Sequence, residues 1–233
     1  MKIITWNCNG AFRKKYKYLE QFNADIIIIQ ECECPEKSND NDYKLFSQNS
    51  IWTGITKNKG LGIFVKNNIL LENLNWPDNN LKYFISCSIN KKFSLLGTWC
   101  NSTNSLTFGY IGQFCKYLQI NKNRMSNILI AGDFNSNSIW DKWDRWWNHS
   151  DVVRELNEIN IKSIYHEINN LDHGKEPTPT FYLQKNINKG YHIDYFFCYT
   201  NIIKKVKSLK IENFKDWINI SDHMPKIIDV KDF

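Results

Sequence analysis

Strand-like apolar runs recur from one end of this chain to the other, and helical spacing is confined to a few stretches. Ile3-Ile4-Thr5-Trp6 is the first run. Asp25 then leads into Ile26-Ile27-Ile28-Ile29, a continuous apolar run expected to be buried on both faces. Trp52 to Thr56 and Leu61 to Val65 flank Lys57-Asn58-Lys59-Gly60. Ile85 to Ile89 and Phe93 to Trp99 flank Asn90-Lys91-Lys92 in the same manner. Both arrangements read as hairpins. Ile128 to Ala131, Tyr195 to Tyr199, Val206 to Ile211 and Ile227 to Val230 complete the strands. Tyr110, Ile111, Phe114, Tyr117 and Leu118 keep one helical face apolar. Val152, Val153, Leu156 and Ile159 predict a second helix, with Ser150 placed to cap it. Tyr16 to Phe22 predicts a short third one. Many strands, several hairpins and few helices predict an α/β sandwich with mixed sheets.

Polar clusters sit where these runs begin or end. Trp6-Asn7, Gln30-Glu31 and Gly132-Asp133-Phe134-Asn135 follow strands. His192-Ile193-Asp194-Tyr195 and Ser221-Asp222-His223 precede them. Antiparallel neighbours put the start of one strand beside the end of the next, so all five clusters can meet at one sheet edge. The inventory is four carboxylates (Glu31, Asp133, Asp194, Asp222), two carboxamides (Asn7, Asn135) and one imidazole (His223). Oxygen ligands with at most one imidazole suit Mg²⁺ or Mn²⁺ better than zinc. Such a cation relieves the mutual repulsion of the carboxylates and polarises a phosphoryl oxygen. A histidine near its ordinary pKa can protonate or stabilise a phosphate oxygen, and an aspartate can orient or deprotonate water.

Composition narrows this picture. Apolar residues make up 42% and aromatic residues 15% of the 233 positions, which supplies a substantial core and argues against disorder. One domain over residues 1–233 is expected. No apolar stretch approaches the roughly 20 residues needed to span a bilayer. The first residues carry no apolar signal region, so no membrane association and a cytoplasmic location are expected. The seven cysteines form no CxxC pair and are expected to be reduced, packed thiols. Cys32 and Cys34 lie close to Glu31, but no four-ligand zinc spacing is visible. A net charge of +6 permits a polyanionic partner without requiring one. Of the basic groups, Arg13-Lys14-Lys15 follows the Asn7 strand most closely and is the better candidate for phosphate contacts. Trp140, Trp143, Trp146 and Trp147 have helical spacing, which favours core packing over stacking on bases. His149 and His166 have no partners in sequence and read as structural, although His166 follows Tyr165 and could line a pocket.

Taken together, the five motifs resemble those of the endonuclease/exonuclease/phosphatase superfamily, in that family's order and at comparable spacing over essentially the whole chain. The resemblance implies a four-layer sandwich, two mixed β-sheets flanked by helices. It implies that Glu31 is the principal metal ligand, with Asn7 and Asp222 near the same cation. Asp133 would position or activate water, Asn135 would contact the scissile phosphate, and His223 would sit on that phosphate, oriented by Asp194. Thr180-Phe181 precedes the Asp194 motif, as a Thr/Trp/Phe segment does in many relatives. The chain also departs from the pattern. Relatives of the exonuclease III type carry a tyrosine after the strand at Phe93, and pancreatic-type deoxyribonucleases a second histidine. Here the segment is Thr98-Trp99-Cys100-Asn101, with Tyr110 as a substitute for the missing group. His192 is unusual and could face the pocket. Trp99, Asn101, Tyr110, Thr180, His192 and Arg13 are therefore expected to line the substrate site.

The expected activity is Mg²⁺- or Mn²⁺-dependent hydrolysis of phosphodiesters in nucleic acid, with DNA favoured, by an endonuclease or exonuclease acting as a monomer. Two alternatives remain: a phosphatase or phosphodiesterase for a small phosphorylated metabolite or lipid headgroup, and an inactive nucleic-acid-binding module.

Overall fold

The computed structural model describes residues 1–103 and 105–231. Its strands begin with β1 (Lys2–Asn7), β2 (Ile26–Cys32), β3 (Ser50–Thr56), β4 (Lys59–Val65) and β5 (Leu71–Asn73). They continue with β6 (Phe84–Ile89), β7 (Phe93–Trp99), β8 (Ile128–Asp133), β9 (Ile161–Ser163) and β10 (Phe181–Tyr182). The last are β11 (Gly190–Tyr191), β12 (Asp194–Tyr199), β13 (Val206–Ile211) and β14 (Lys226–Val230). Two six-stranded sheets result, ordered β13-β14-β1-β2-β4-β3 and β5-β6-β7-β8-β12-β9. In each, a single parallel pair, β1 with β2 or β7 with β8, sits among antiparallel neighbours, so both sheets are mixed. Strands β10 and β11 form a separate two-stranded ribbon.

Side-chain alternation explains the layering. Ile26 and Ile28 point into the space between the sheets, where they join Ile3, Ile63, Leu95, Ala131 and Phe196. Ile27 and Ile29 point the other way, into a second cluster with Trp6, Phe12, Tyr43 and Trp217. The continuous isoleucine run is thus buried on both faces, as expected of a central strand. On the far side, Leu96, Ile130, Phe134 and Phe197 pack under the helices Ile111–Asn121 and His149–Glu158. The four-layer sandwich, two mixed sheets flanked by helices, is therefore the observed fold. No helix among the described residues is long and apolar enough to cross a membrane. All seven cysteines are free and buried.

Several local expectations need correction. The cap of the helix His149–Glu158 is Asn148, not Ser150. Asn148 and Asp151 exchange side-chain-to-backbone bonds as a capping box, and this satisfies donors the first turn leaves open. The helix expected over Tyr16 to Phe22 is shorter, Lys17–Glu20, after a 3₁₀ turn at Phe12–Lys14. The first hairpin turn is only Lys57-Asn58, because pairing of Thr56 with Lys59 draws Lys59 and Gly60 into β4. The tryptophan segment is not one helix: Ser138–Trp140 forms a 3₁₀ turn, and of the four tryptophans Trp147 packs on the core while the others are exposed. Trp143 is 99% exposed, Trp146 60% and Trp140 41%. Asn148 explains why: its side chain bonds the Lys142 backbone N–H and C=O and the Arg145 carbonyl. Such side-chain bonds compete with a helical ladder.

Candidate active site

Strand register assembles the site. Asp133, the last residue of β8, lies directly opposite Asp194, the first residue of β12. On the other sheet Asn7 ends β1 beside Gln30 of β2. Glu31 follows at a β-bulge, where the pairing with β4 shifts by a residue and φ is 64°. A left-handed glutamate costs conformational energy, and bulges re-aim side chains at sheet rims. Gly132 is required for a comparable reason. Its φ is 154°, and a Cβ there would collide with the Thr98 carbonyl.

Asp133 is the hub. It is fully buried and accepts three bonds. Asn7 Nδ2 donates to its Oδ2 at 3.0 Å, Asn135 Nδ2 to the same oxygen at 2.9 Å, and the Asn135 backbone N–H to Oδ1 at 2.8 Å. An ionised carboxylate has about four acceptor positions, so one remains. Burial pushes the Asp133 pKa up, His223 pulls it down, and Asp194 pushes it up again; the net direction is upward. His223 donates from Nδ1 to Asp194 Oδ2 at 3.0 Å, and its Nε2 stands 4.0 Å from Asp133 Oδ2. Burial disfavours the imidazolium, but the Asp194 and Asp133 carboxylates together outweigh it and raise His223 to about 9. The Phe181 ring packs on the imidazole with centroids 4.6 Å apart. Ser221 Oγ donates to the Asn7 carbonyl at 2.8 Å and accepts the His223 backbone N–H at 3.1 Å, so it ties the last motif to the first.

Glu31 and Asn7 are neighbours, with Asn7 Nδ2 3.4 Å from Glu31 Oε1. Asp222 follows Ser221, whose Oγ bonds the Asn7 carbonyl and lies 3.5 Å from Asp222 Oδ1. Lys59 Nζ pairs with Glu31 Oε2 at 2.6 Å and also lies over the Trp99 ring. A cation is thus already attracted to Glu31. Asn7 Oδ1 accepts the Asn9 N–H at 3.0 Å and keeps a second lone pair. The all-oxygen donor set of Glu31, Asn7 and Asp222 fits a hard divalent cation.

The residues expected to line the substrate site divide. Asn101 lies next to Cys100, whose carbonyl accepts Asn135 Nδ2 at 3.0 Å. Its own Nδ2 is buried and finds no partner among the described residues. Trp99 pairs in register with Asp133 and packs on Tyr83, but an indole offers only a donor and no titratable proton. Tyr110 is half exposed at the head of its helix and makes no hydrogen bond to the Asp133 cluster. The Arg13 guanidinium is paired with Glu33, which offsets its charge.

Two of these expectations are corrected. Thr180 is fully buried and acts through Asp194: its Oγ1 accepts the Ile193 and Asp194 backbone N–H groups at 3.0 and 3.1 Å. His192 faces away from the pocket. Its Nδ1 donates to the Thr178 carbonyl at 2.8 Å, and its Nε2 accepts from Lys226 Nζ at 2.9 Å. Burial lowers the pKa of both members, Lys226 to about 7. Lys226 and Lys59 were not anticipated. Only the hairpin register brings Lys59 to the Glu31 bulge, and Lys226 reads in sequence as a routine strand start.

The sequence model of the Endonuclease/Exonuclease/phosphatase family matches residues 4–223, so the chain belongs to that family. Among solved structures, a 3′ phosphatase from Neisseria bound to a product DNA hairpin is similar at a TM-score of 0.72 and 16% identity, covering 100% of both chains. A 3′-5′ exonuclease from Neisseria meningitidis gives 0.71 and 17% identity over 99% of each chain. An AP endonuclease from Archaeoglobus fulgidus gives 0.69 and 16% identity over 100% of each. At these identities the likeness concerns the fold. No curated protein sequence matches the chain.

Proposed function

We propose that the protein is a divalent-metal-dependent phosphodiesterase that cleaves nucleic acid, with DNA the favoured substrate. The observation that carries this reading is the buried triad Asp133–His223–Asp194, with Asn7 and Asn135 on the shared carboxylate. Family membership and the DNA-processing relatives support it.

Glu31, Asn7 and Asp222 would hold Mg²⁺ or Mn²⁺, which when bound supplies Lewis-acid polarisation of a phosphoryl oxygen. The chain's own residues do the rest. Asp194 fixes the His223 ring through Nδ1, which leaves a charged Nε2–H to donate to a phosphate oxygen. Asp133 keeps one acceptor position, suited to a water whose proton it orients or takes. Asn135 holds Asp133 and the Cys100 carbonyl, and the unpartnered Asn101 Nδ2 is a further donor for a phosphate oxygen. Trp140, Trp143 and Trp146, exposed on the segment after Asn137, offer faces on which unpaired bases can stack.

The test is a substrate panel of abasic duplex, nicked duplex, single strand, RNA and small phosphate esters, run with Mg²⁺, Mn²⁺ or chelator. Cleavage of DNA that needs metal and disappears in Glu31→Ala and His223→Ala is the expected result. Full activity in both variants refutes the assignment, and activity on small esters alone replaces nucleic acid with a metabolite substrate.

A further inference from the structure

Four of the chain's five histidines lie together outside the catalytic cluster, on segments far apart in sequence. His149 opens the helix His149–Glu158, and His166 lies in the helix Ile164–Asn169. His173 and Glu176 come from the irregular segment that leads to Thr180. The fourth, His192, is committed to Thr178 and Lys226 and takes no further part.

Ligand atoms of His166, His173 and Glu176 all lie within 4.8 Å of one another. His166 Nε2 is 2.8 Å from Glu176 Oε1, and His149 Nε2 is 3.0 Å from His173 Nδ1. Donors around a tetrahedral ion with bonds of about 2.0–2.1 Å stand roughly 3.3 Å apart, comparable to the 2.8 Å between His166 Nε2 and Glu176 Oε1.

The outer contacts are those a metal-binding imidazole has. Ser163 Oγ holds His166 Nδ1 at 2.7 Å, and Ser136 Oγ holds His149 Nδ1 at 3.2 Å. Each serine fixes its ring with Nε2 turned into the cluster. The Glu176 carboxylate is oriented by Asn137 Nδ2 at 3.1 Å and by the Gly174 N–H at 3.0 and 3.1 Å. A cleft of about 420 Å³, lined by Ser163, His166, Glu167, Asp172 and His173 among others, gives an entry path.

We propose that His166, His173 and Glu176 form a second metal site that takes a divalent transition metal of the Zn²⁺ class, with His149 bonded to His173 beside it. Two imidazoles and one carboxylate suit Zn²⁺ and disfavour the Mg²⁺ that suits Glu31. The site has three protein ligands and one tetrahedral position left to water. It pins the segment carrying His173 and Glu176, and that segment ends at Thr180, the residue that holds the Asp194 backbone. Asn137 connects the same cluster to the His192 carbonyl and the Tyr195 hydroxyl.

The test uses the full chain purified without a metal-affinity tag, in the Glu31→Ala background so that Glu31 contributes no ligand. After chelator dialysis the protein is equilibrated with Zn²⁺, gel-filtered and analysed by mass spectrometry for metal. One Zn²⁺ per chain is expected, with Tm raised by about 5–10 °C when free Zn²⁺ is near a hundred times Kd. Co²⁺ in its place should give the visible bands of a tetrahedral ion. His166→Ala and His173→Ala should each weaken Zn²⁺ binding at least tenfold, whereas His192→Ala should leave it unchanged. No retained Zn²⁺ in the Glu31→Ala protein overturns the proposal without reference to any further variant. Equal Zn²⁺ affinity in folded His173→Ala overturns it as well; His173 sits on an irregular segment, so its removal spares the helices and sheets.

Discussion

Replacing Asp194 with asparagine separates the charge of the His223 partner from its shape. The carboxylate is buried, and both its oxygens lie within 3.2 Å of His223 Nδ1. The His223 pKa stands at about 9 against an ordinary 6.5, which corresponds to about 3 kcal/mol in favour of the imidazolium. Burial is the largest single influence on that ring and acts against the charge; Asp194, by charge and by hydrogen bond, Asp133 and Asp222 act for it. With Asp194 neutral, its share is lost and the His223 pKa should fall. Above the lowered value the ring is uncharged, and kcat there should drop by about 10²- to 10⁴-fold, the usual scale for a lost proton donor.

Stability should change in the same terms. In the native protein the raised His223 pKa contributes about 3 kcal/mol in full below the unfolded value of 6.5, and this is lost as pH rises through about 9. In Asp194→Asn the lowered pKa shrinks this contribution and moves its loss to lower pH. The stability gap between the two proteins should therefore narrow from about pH 6 to about pH 10, by about 1.4 kcal/mol for each unit by which the His223 pKa falls. Urea unfolding in chelator, followed by tryptophan fluorescence, measures the gap, and an NMR titration of the imidazole carbons measures the pKa. A His223 pKa that stays near 9 in Asp194→Asn, or a gap that holds constant with pH, refutes the account.

Three further outcomes follow from the geometry. Lys59→Met removes the half-exposed cation paired with Glu31, so the Mg²⁺ concentration for half-maximal activity should fall about two- to fivefold, the scale of an exposed ion pair, in a metal titration of activity. Asn148→Ala breaks the capping box and should cost about 0.5–2 kcal/mol in urea unfolding, whereas Ser150→Ala should stay within about 0.5 kcal/mol of the parent. Trp143→Ala, at a fully exposed position, should leave Tm unchanged but weaken binding of single-stranded DNA by about 1–3 kcal/mol, read by fluorescence anisotropy.

The sheets and the five motifs were legible because each is contiguous. An apolar run followed by Asp133 or Glu31 announces both the strand and its polar end, and antiparallel register brings those ends together. What was hidden depends on register or on loops. Lys59 reaches Glu31 only because Glu31 occupies a bulge, and no residue pattern marks a left-handed glutamate. His192 lies two residues before Asp194, in an irregular segment where strand alternation assigns no face, and its direction is set by Thr178 and Lys226. The tryptophans had helical spacing, but Asn148 bonds the segment's backbone first. His149 and His166 had no partners in sequence because theirs, Ser136, His173 and Glu176, come from other segments, and His173 gave no signal at all.

The buried polar groups behind the site make orientation, rather than stability, their main contribution. Lys226, fully buried, is satisfied among the described residues by His192 Nε2, the Asp194 carbonyl and two tyrosine faces. Burying an ammonium costs more than such contacts usually return, which the fall of its pKa to about 7 reflects. Yet the Lys226 bond to the Asp194 carbonyl and the two Thr180 bonds to the Ile193 and Asp194 amides hold Asp194 from both sides of its backbone. The His223 imidazole makes its hydrogen bond to that one residue. An error of an ångström at Asp194 would carry directly to His223 Nε2, and a preorganised donor loses its effect when misplaced. A costly network directly behind Asp194, and a histidine cluster holding the segment that ends at Thr180, are two devices acting on the same few atoms.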